Sequence, residues 1–179
     1  MKSDFDNTCS DSGYFKRNKI EGEKFEFENG WSVAELKVSL CQYTPPRVTI
    51  KSDRDAANVL FCNWDKELIK IQEQMACLFL NSKNEVIGFR NIGTGKSHSV
   101  TFDFNLMMTC AILCRARSII IAHNHPDGGL KPSNTDVKLT RRVMDLLEFF
   151  EIDLLDHIIL SSEGYFSFSD QELVIFHNH

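Results

Sequence analysis

The pattern of apolar and polar positions along the chain predicts a domain built from both strands and helices. Short apolar or alternating runs bounded by turn residues predict strands at residues 75–80, 85–90, 118–122, 158–160 and 165–168. Apolar positions at helical spacing predict helices at about 53–61, 104–117 and 134–150. Gly93 and Gly95 predict a loop between the second strand and the second helix. We therefore expect an α/β or α+β fold with helices layered on a sheet.

The first 47 residues have a different pattern. Residues 1 to about 30 are polar without a sustained period, and we expect them to be loosely ordered. Alternation from Val33 to about Leu40 predicts one strand, whose exposed edge would permit dimerisation by strand pairing. Pro45-Pro46 then interrupts the chain. We therefore expect an N-terminal extension at 1–47, with one strand, and a main domain at 48–179.

Composition narrows the class of protein. The chain has 179 residues, of which 42% are hydrophobic, so it can bury a core of ordinary size. Its net charge of −5 argues against duplex nucleic acid as a partner, because phosphate binding depends on clustered Lys and Arg. The N-terminus has no apolar secretory signal, and the longest apolar runs are too short to span a membrane. Six cysteines without a CxxC pair indicate reduced thiols, so we expect a cytoplasmic protein.

A pair of histidines follows the apolar run 119–121. In His123-Asn124-His125-Pro126, alternation along a strand places His123 and His125 on the same side, where two imidazoles can share a metal ion. Pro126 ends strand pairing directly afterwards, and the glycines at 128–129 allow the chain to turn back. Taken alone, such a histidine pair is more often polar surface or an internally hydrogen-bonded pair than a metal site.

A carboxylate follows the histidine pair within the same loop. Ser133-x-x-Asp136 is a helix-start signature, which places Asp136 in the first turn of the third helix. By itself this signature is most often only a capping box. If the loop brings the helix start to the end of the strand, Asp136 becomes a third ligand beside His123 and His125. Two histidines and one carboxylate suit zinc with a fourth position open to water, as in catalytic sites.

This spacing resembles the JAMM motif of the JAB/MPN metalloproteases, and further strings resemble the RadC-like branch. The resemblance covers roughly residues 32–172, and its strings are His123-Asn124-His125-Pro126, Lys131-Pro132-Ser133, Leu155-Asp156-His157, Tyr165-Phe166-Ser167-Phe168 and Met75-Ala76-Cys77-Leu78-Phe79-Leu80-Asn81. It implies a JAB/MPN domain, a cytidine-deaminase-like layered fold with a curved mixed sheet flanked by helices. Relatives with this pattern often have Ser where this chain has Asp127, and Pro-Arg where it has Phe104-Asn105, so we expect a substrate preference different from theirs.

The resemblance also implies roles for single residues. His123, His125 and Asp136 match the zinc ligands, and Ser133 matches the serine that helps to hold an oxyanion. The general base of the family maps best onto Glu73, immediately before the strand 75–80. The sequence does not exclude other glutamates, of which Glu85 ranks second. His157 matches a family position, and its role is open between hydrogen bonding that orients a ligand and core packing.

The implied activity is zinc-dependent hydrolysis of a peptide or isopeptide bond by metal-activated water, with a peptide or protein as the substrate. Two other functions stay open. Some domains of this fold are non-catalytic binding modules, and the RadC name is associated with DNA-repair or mobile-element accessory proteins. The chain lacks the helix-hairpin-helix region of longer relatives, which argues against direct DNA binding. The substrate and the oligomeric state are not predicted.

Overall fold

A computed structural model of the chain describes residues 17–19, 24–27, 32–34, 47–95, 101–174 and 176. The chain divides into two compact units, Met1–Ser39 and Leu40–His179.

The smaller unit contains a three-stranded antiparallel sheet. Its strands, in the order of the sheet, are β1 (Arg17–Lys19), β2 (Lys24–Phe27) and β3 (Ser32–Ala34). The expectation of loose order up to residue 30, with a single strand after it, was wrong for β1 and β2. Strands of three or four residues are too short to show a period in the sequence. β3 begins at Ser32, one residue before the start of the predicted alternation, and residues 35–40 lie outside the described residues.

The larger unit is built on a five-stranded mixed sheet with the order β5-β4-β6-β7-β8. Its strands are β4 (Gln74–Leu80), β5 (Val86–Thr94), β6 (Ser118–Asn124), β7 (Asp153–Leu160) and β8 (Tyr165–Ser167). The helices described in this unit are α1 (Asp53–Asn63), α2 (Phe104–Cys114) and α3 (Asn134–Glu148). β6 and β7 are parallel, which requires a crossover connection, and α3 supplies it. The other neighbouring strands are antiparallel.

Helices cover both faces of this sheet. Side chains alternate along each strand, so β6 directs Ile119 and Ile121 to a core shared with α2 and α3. Ile120, between them, belongs to a second core that includes Ala56 and Leu60 of α1. The central strands β4 and β6 are buried along their whole length. This arrangement confirms the predicted layered α/β architecture with a mixed sheet and flanking helices.

Element boundaries differ from the prediction where tertiary pairing extends a strand. β5 continues to Thr94 because it stays paired with β4, so Gly93 lies in a strand and not in the expected loop. β7 begins at Asp153, five residues before the predicted start, because it pairs with β6. α2 ends at Cys114, since Arg115 adopts a left-handed conformation with φ of 54°.

The described residues also bear on membrane spans and on the state of the cysteines. No helix among them is long and apolar enough to cross a membrane. The cysteines among them, Cys62, Cys77, Cys110 and Cys114, are free thiols.

Candidate metal centre

The histidine pair lies where β6 reaches the end of the sheet. His123 is the penultimate residue of β6 and is fully buried, on the face that carries Ile121 towards α2 and α3. His125 follows the strand and is half-buried. As alternation predicted, their rings lie on the same side of the strand, with 2.9 Å between the two Nε2 atoms.

A tight turn after the pair fixes the orientation of His125. The amide of Gly128 donates to the carbonyl oxygen of His125 at 3.0 Å, and Gly128 has φ of 83°, which glycine adopts without strain. Nδ1 of His125 lies 2.8 Å from the carbonyl oxygen of Gly129. Because a carbonyl oxygen only accepts, Nδ1 of His125 carries the hydrogen. In the neutral ring, Nε2 of His125 is therefore a lone pair directed at His123.

Asp136 is brought to the histidines by the start of α3. Ser133 is the N-cap of this helix, and its Oγ accepts from the amide of Asp136 at 3.2 Å. In return, the amide and the hydroxyl of Ser133 both donate to Oδ2 of Asp136, each at 2.7 Å. This capping box holds one carboxylate oxygen and leaves Oδ1 at 3.6 Å from Nε2 of His123.

The structure thus brings together the three residues that the sequence singled out. One possible ligand atom from each of His123, His125 and Asp136 lies within 4.8 Å of the other two. Burial lowers the pKa of His123 to about 4, against a smaller opposing effect of the Asp136 carboxylate, so the imidazole is neutral at pH 7. The cluster therefore offers two imidazole nitrogens and a carboxylate oxygen, a set that can hold a metal ion.

A second layer of polar side chains lies behind His123. Nδ1 of His123 is 2.8 Å from Nε2 of His157, and Nδ1 of His157 is 2.7 Å from Oγ1 of Thr140. The Thr140 hydroxyl donates at 2.7 Å to the backbone carbonyl of Asp136, one helical turn earlier. His157 also stacks on Phe168, with 4.5 Å between ring centroids. Both roles left open for His157 are therefore present, hydrogen bonding to a candidate ligand and packing in the core.

No role is predicted for Thr140 from the sequence, although a signal for one is present. A threonine one turn after Asp136 lies on the same side of α3, where its hydroxyl can reach back to the Asp136 carbonyl. Burial lowers the pKa of the neighbouring His157 well below its usual value, so this ring is also neutral.

Glu73 is close to the cluster by strand register. It precedes β4 by one residue, and Met75, two residues after it, pairs with His123 across the β4–β6 ladder. If the alternation of β4 extends to Glu73, its side chain lies on the face of His123. The Asn124 side chain fixes the backbone there, since its Oδ1 accepts from Gln74 N at 2.8 Å and its Nδ2 donates to the carbonyl of Gln72 at 3.0 Å.

Glu85, the second candidate for the general base, lies at the opposite end of the sheet. It follows the turn after Leu80, which is five residues along β4 from Met75, a separation of about 17 Å at the rise of a strand. Its carboxylate accepts from Asn81 Nδ2 at 2.7 Å and forms an ion pair with Arg47 at 3.9 Å. These contacts stabilise the β4–β5 hairpin, and they exclude Glu85 from the metal centre.

Ser133, predicted both to cap α3 and to hold an oxyanion, is engaged in the cap. Its hydroxyl hydrogen is directed at Asp136, and the residue is exposed to solvent at the edge of the cluster. Contact with an oxyanion requires this hydroxyl to turn outward, and that role stays a prediction.

The fold and the site define a class: a layered α/β domain in which a strand end and a helix start together present two histidines and an aspartate. Comparison with known proteins gives the family. Residues 50–179 match the family described as RadC-like JAB domain, and the chain belongs to this family.

Relatives of similar sequence are bacterial proteins named UPF0758 protein. One from Porphyromonas gingivalis is 38% identical over 104 residues, which cover 58% of this chain and 46% of the relative. One from Moorella thermoacetica is 31% identical over 140 residues, 78% of this chain and 60% of the relative. One from Clostridium acetobutylicum is 35% identical over 128 residues, 71% and 54% of the two chains. The chain thus spans about half the length of the curated relatives it matches.

Proposed function

We propose that this protein is a zinc-dependent hydrolase of peptide or isopeptide bonds. The observation that carries the proposal is the convergence of His123, His125 and Asp136 on one point. Two ligands of a tetrahedral zinc ion lie roughly 3.3 Å apart. The distances from His123 Nε2 to the other two atoms, 2.9 Å to His125 Nε2 and 3.6 Å to Asp136 Oδ1, are both within a few tenths of an ångström of that value.

The surroundings of the cluster favour a catalytic site over a purely structural one. Three protein ligands leave the fourth position of a tetrahedral ion for water or substrate, whereas structural zinc sites use four protein ligands. His125 is half-buried and Ser133 is exposed, so the cluster reaches the protein surface on the side of loop 126–132. The chemistry that a zinc ion supplies when bound there is activation of water at neutral pH and polarisation of a carbonyl group.

The residues of the chain supply the remaining parts of the reaction. Glu73 is the candidate to accept a proton from the attacking water and to return it to the leaving amine. Asn124 fixes the backbone on both sides of Glu73. The Ser133 hydroxyl, once turned from Asp136, is the candidate donor to the oxyanion that forms on the substrate carbonyl. His125 and Asp136 are held in place by the Gly129 carbonyl and by the Ser133 cap.

Metal analysis of purified protein tests the site. Wild-type protein should retain one zinc ion per chain, and His123→Ala and Asp136→Ala should not retain it. Glu85→Gln is the matched control, because Glu85 lies at the other end of the sheet, and its zinc content should equal that of wild type. Unchanged zinc content in both ligand variants would contradict the proposal.

Hydrolysis is tested separately on a library of peptide and isopeptide substrates. Wild-type protein loaded with zinc should cleave at least one member, and Glu73→Gln should keep its zinc but lose about 100-fold or more of the rate, as expected for a general base. Zinc retention without cleavage of any member would instead indicate a binding module.

A further inference from the structure

The position of the hydrogen on the neutral His123 ring decides whether the hydrogen bonds of the cluster are satisfied without a metal ion. A neutral imidazole carries one hydrogen, on either Nδ1 or Nε2. With the hydrogen on Nε2, His123 would donate to His125 Nε2 at 2.9 Å, and the pair would be satisfied without any cation. With the hydrogen on Nδ1, His123 Nε2 is a lone pair that faces the lone pair of His125 and the carboxylate of Asp136.

We propose that Thr140 and His157 are positioning residues that hold His123 in the second of these forms, and so keep the cluster competent for zinc. This inference rests on the proposed function, because it concerns the same site.

Thr140 of α3 sets the direction of the hydrogen bonds. Oγ1 of Thr140 is 2.7 Å from the carbonyl oxygen of Asp136, and two oxygens at this distance repel unless a hydrogen lies between them. The carbonyl only accepts, so the single hydroxyl hydrogen of Thr140 is directed there. Towards His157, Oγ1 can then only accept, and Nδ1 of His157 donates to it at 2.7 Å.

The same argument applies to His157. The neutral His157 ring has its hydrogen on Nδ1, so its Nε2 carries a lone pair and can only accept. This lone pair is 2.8 Å from Nδ1 of His123, which therefore carries the hydrogen and donates it. Nε2 of His123 is left without a hydrogen, directed at the candidate metal position.

Burial prevents water from supplying a different set of partners. His123, Thr140 and His157 are each fully buried. His157 packs nearly parallel to Phe168, with an angle of 19° between the ring planes. A 180° flip of the His157 ring would put carbon atoms in the places of both hydrogen-bonding nitrogens and break both hydrogen bonds. The backbone carbonyl of Asp136 starts the chain of hydrogen bonds, and the Asp136 carboxylate faces its end, so one residue of α3 contributes to both.

Nuclear magnetic resonance of the histidine rings tests the inference directly. Long-range ¹H–¹⁵N correlation spectra distinguish the two neutral forms of each ring in zinc-free, ¹⁵N-labelled protein. The expected result for wild type is a hydrogen on Nδ1 of His123, His125 and His157. A hydrogen on Nε2 of His123 in wild type would overturn the inference, whatever the variants do.

Two substitutions at one position separate positioning from packing. Thr140→Val keeps the shape of the side chain and removes the hydroxyl, and Thr140→Ser keeps the hydroxyl. Thr140→Val should give a signal for hydrogen on Nε2 of His123 and a zinc dissociation constant at least about 10-fold higher, measured by competition with a chromophoric chelator. Thr140→Ser should match wild type in both measurements.

An unchanged His123 form together with unchanged zinc affinity in a folded Thr140→Val variant would refute the inference. If this variant does not fold, the wild-type spectrum still decides. The failure of the proposed function is distinguishable: wild-type protein that binds no zinc would refute the metal site, while the ring spectra of the same zinc-free protein would still report the form of His123.

Discussion

Neighbouring residues of β7 show how differently the two faces of the sheet bury polar groups. Asp156 lies on the α1 face, where its carboxylate accepts from Ser167 Oγ at 2.6 Å and from the amides of His157 and Ser169 at 2.7 and 3.0 Å. His157 lies on the opposite face, behind the cluster of His123, His125 and Asp136, whose ligand atoms converge.

The two faces differ in whether the buried acceptors have donors within the protein. On the α1 face each buried acceptor of Asp156 meets donors from the protein itself, as buried polar groups generally do. On the other face three atoms that can all act as acceptors are directed at one another. Lone pairs that face one another repel, and a cation between them removes this repulsion, so the arrangement favours the binding of a metal ion. The same sheet therefore has a structural carboxylate on one face and a candidate metal site on the other.

Replacing an aspartate by asparagine on each face should give the clearest difference in zinc content. Asp136→Asn removes the negative charge of the cluster and should abolish zinc retention in metal analysis of purified protein. Asp156→Asn should leave the zinc content at the wild-type value, because Asp156 lies on the other face. Equal zinc loss in the two variants would show that the two faces do not differ in metal binding.

Asn124 tests whether a polar residue beside the candidate ligands has a purely structural role. It lies between His123 and His125 in the sequence, and its side chain forms hydrogen bonds with residues 69–74. Its side chain accepts from Gln74 N and donates to the carbonyls of Ile69 and Gln72. Asn124→Ala leaves these groups without their partner and should lower the free energy of unfolding by about 3 kcal/mol, measured by urea denaturation. Zinc content per folded chain should not change. A variant as stable as wild type would show that these bonds contribute little.

Asp156 predicts a pH dependence of stability. Burial raises its pKa from 3.8 to about 6, with the three hydrogen bonds opposing this effect. For an acid whose pKa is raised in the folded state, stability is fully present below pH 3.8 and is lost as pH rises to about 6, because the unfolded chain releases the proton first.

Asp156→Asn removes this loss, since an amide needs no proton and can still donate to Ser167 Oγ. At pH 7 the variant should be more stable than wild type by up to about 3 kcal/mol, and the difference should disappear near pH 4. Urea denaturation at the two pH values measures it. A variant less stable than wild type at pH 7 would show that the carboxylate is ionised and well paired in the folded protein.

The smallest expected effect is at the cap of α3. Ser133→Ala removes the hydroxyl that contacts Asp136 but keeps the backbone amide bond to Oδ2. It should lower the free energy of unfolding by about 1 kcal/mol and zinc affinity by about 10-fold. Ser133→Thr retains the hydroxyl and serves as the control for both measurements. An affinity equal to wild type in Ser133→Ala would show that the backbone amide alone orients the carboxylate.

The cluster was predictable from the sequence because its geometry is local. Alternation along one strand places His123 and His125 together, and a helix-start signature places Asp136 in a first turn. The main elements of the larger unit were predictable for the same reason, since each has a clear period or a bounded apolar run. The family resemblance then identified Glu73 as a candidate.

The remaining features depend on pairing between distant segments. Glu73 precedes β4 and Glu85 follows it in the sequence, and only the register of β4 against β6 shows which of them lies at the end of the sheet that carries His123. His157 reaches His123 from 34 residues away because β7 pairs with β6. The short strands β1 and β2 leave no periodic signal at all. Register and packing of this kind cannot be read from composition or local spacing.

Asp136 contributes both to the cap of α3 and to the candidate metal site, which bears on how an ion would enter the proposed site. One oxygen of its carboxylate closes the first turn of α3, and the other faces the histidines. Folding of α3 therefore also orients the Asp136 carboxylate towards the histidines. Little further conformational entropy of this side chain would be lost when an ion binds. If the proposed function holds, a chain newly folded in the absence of zinc would already have this carboxylate in place, and the supply of the ion, rather than a rearrangement of the Asp136 side chain, would set when the site is filled.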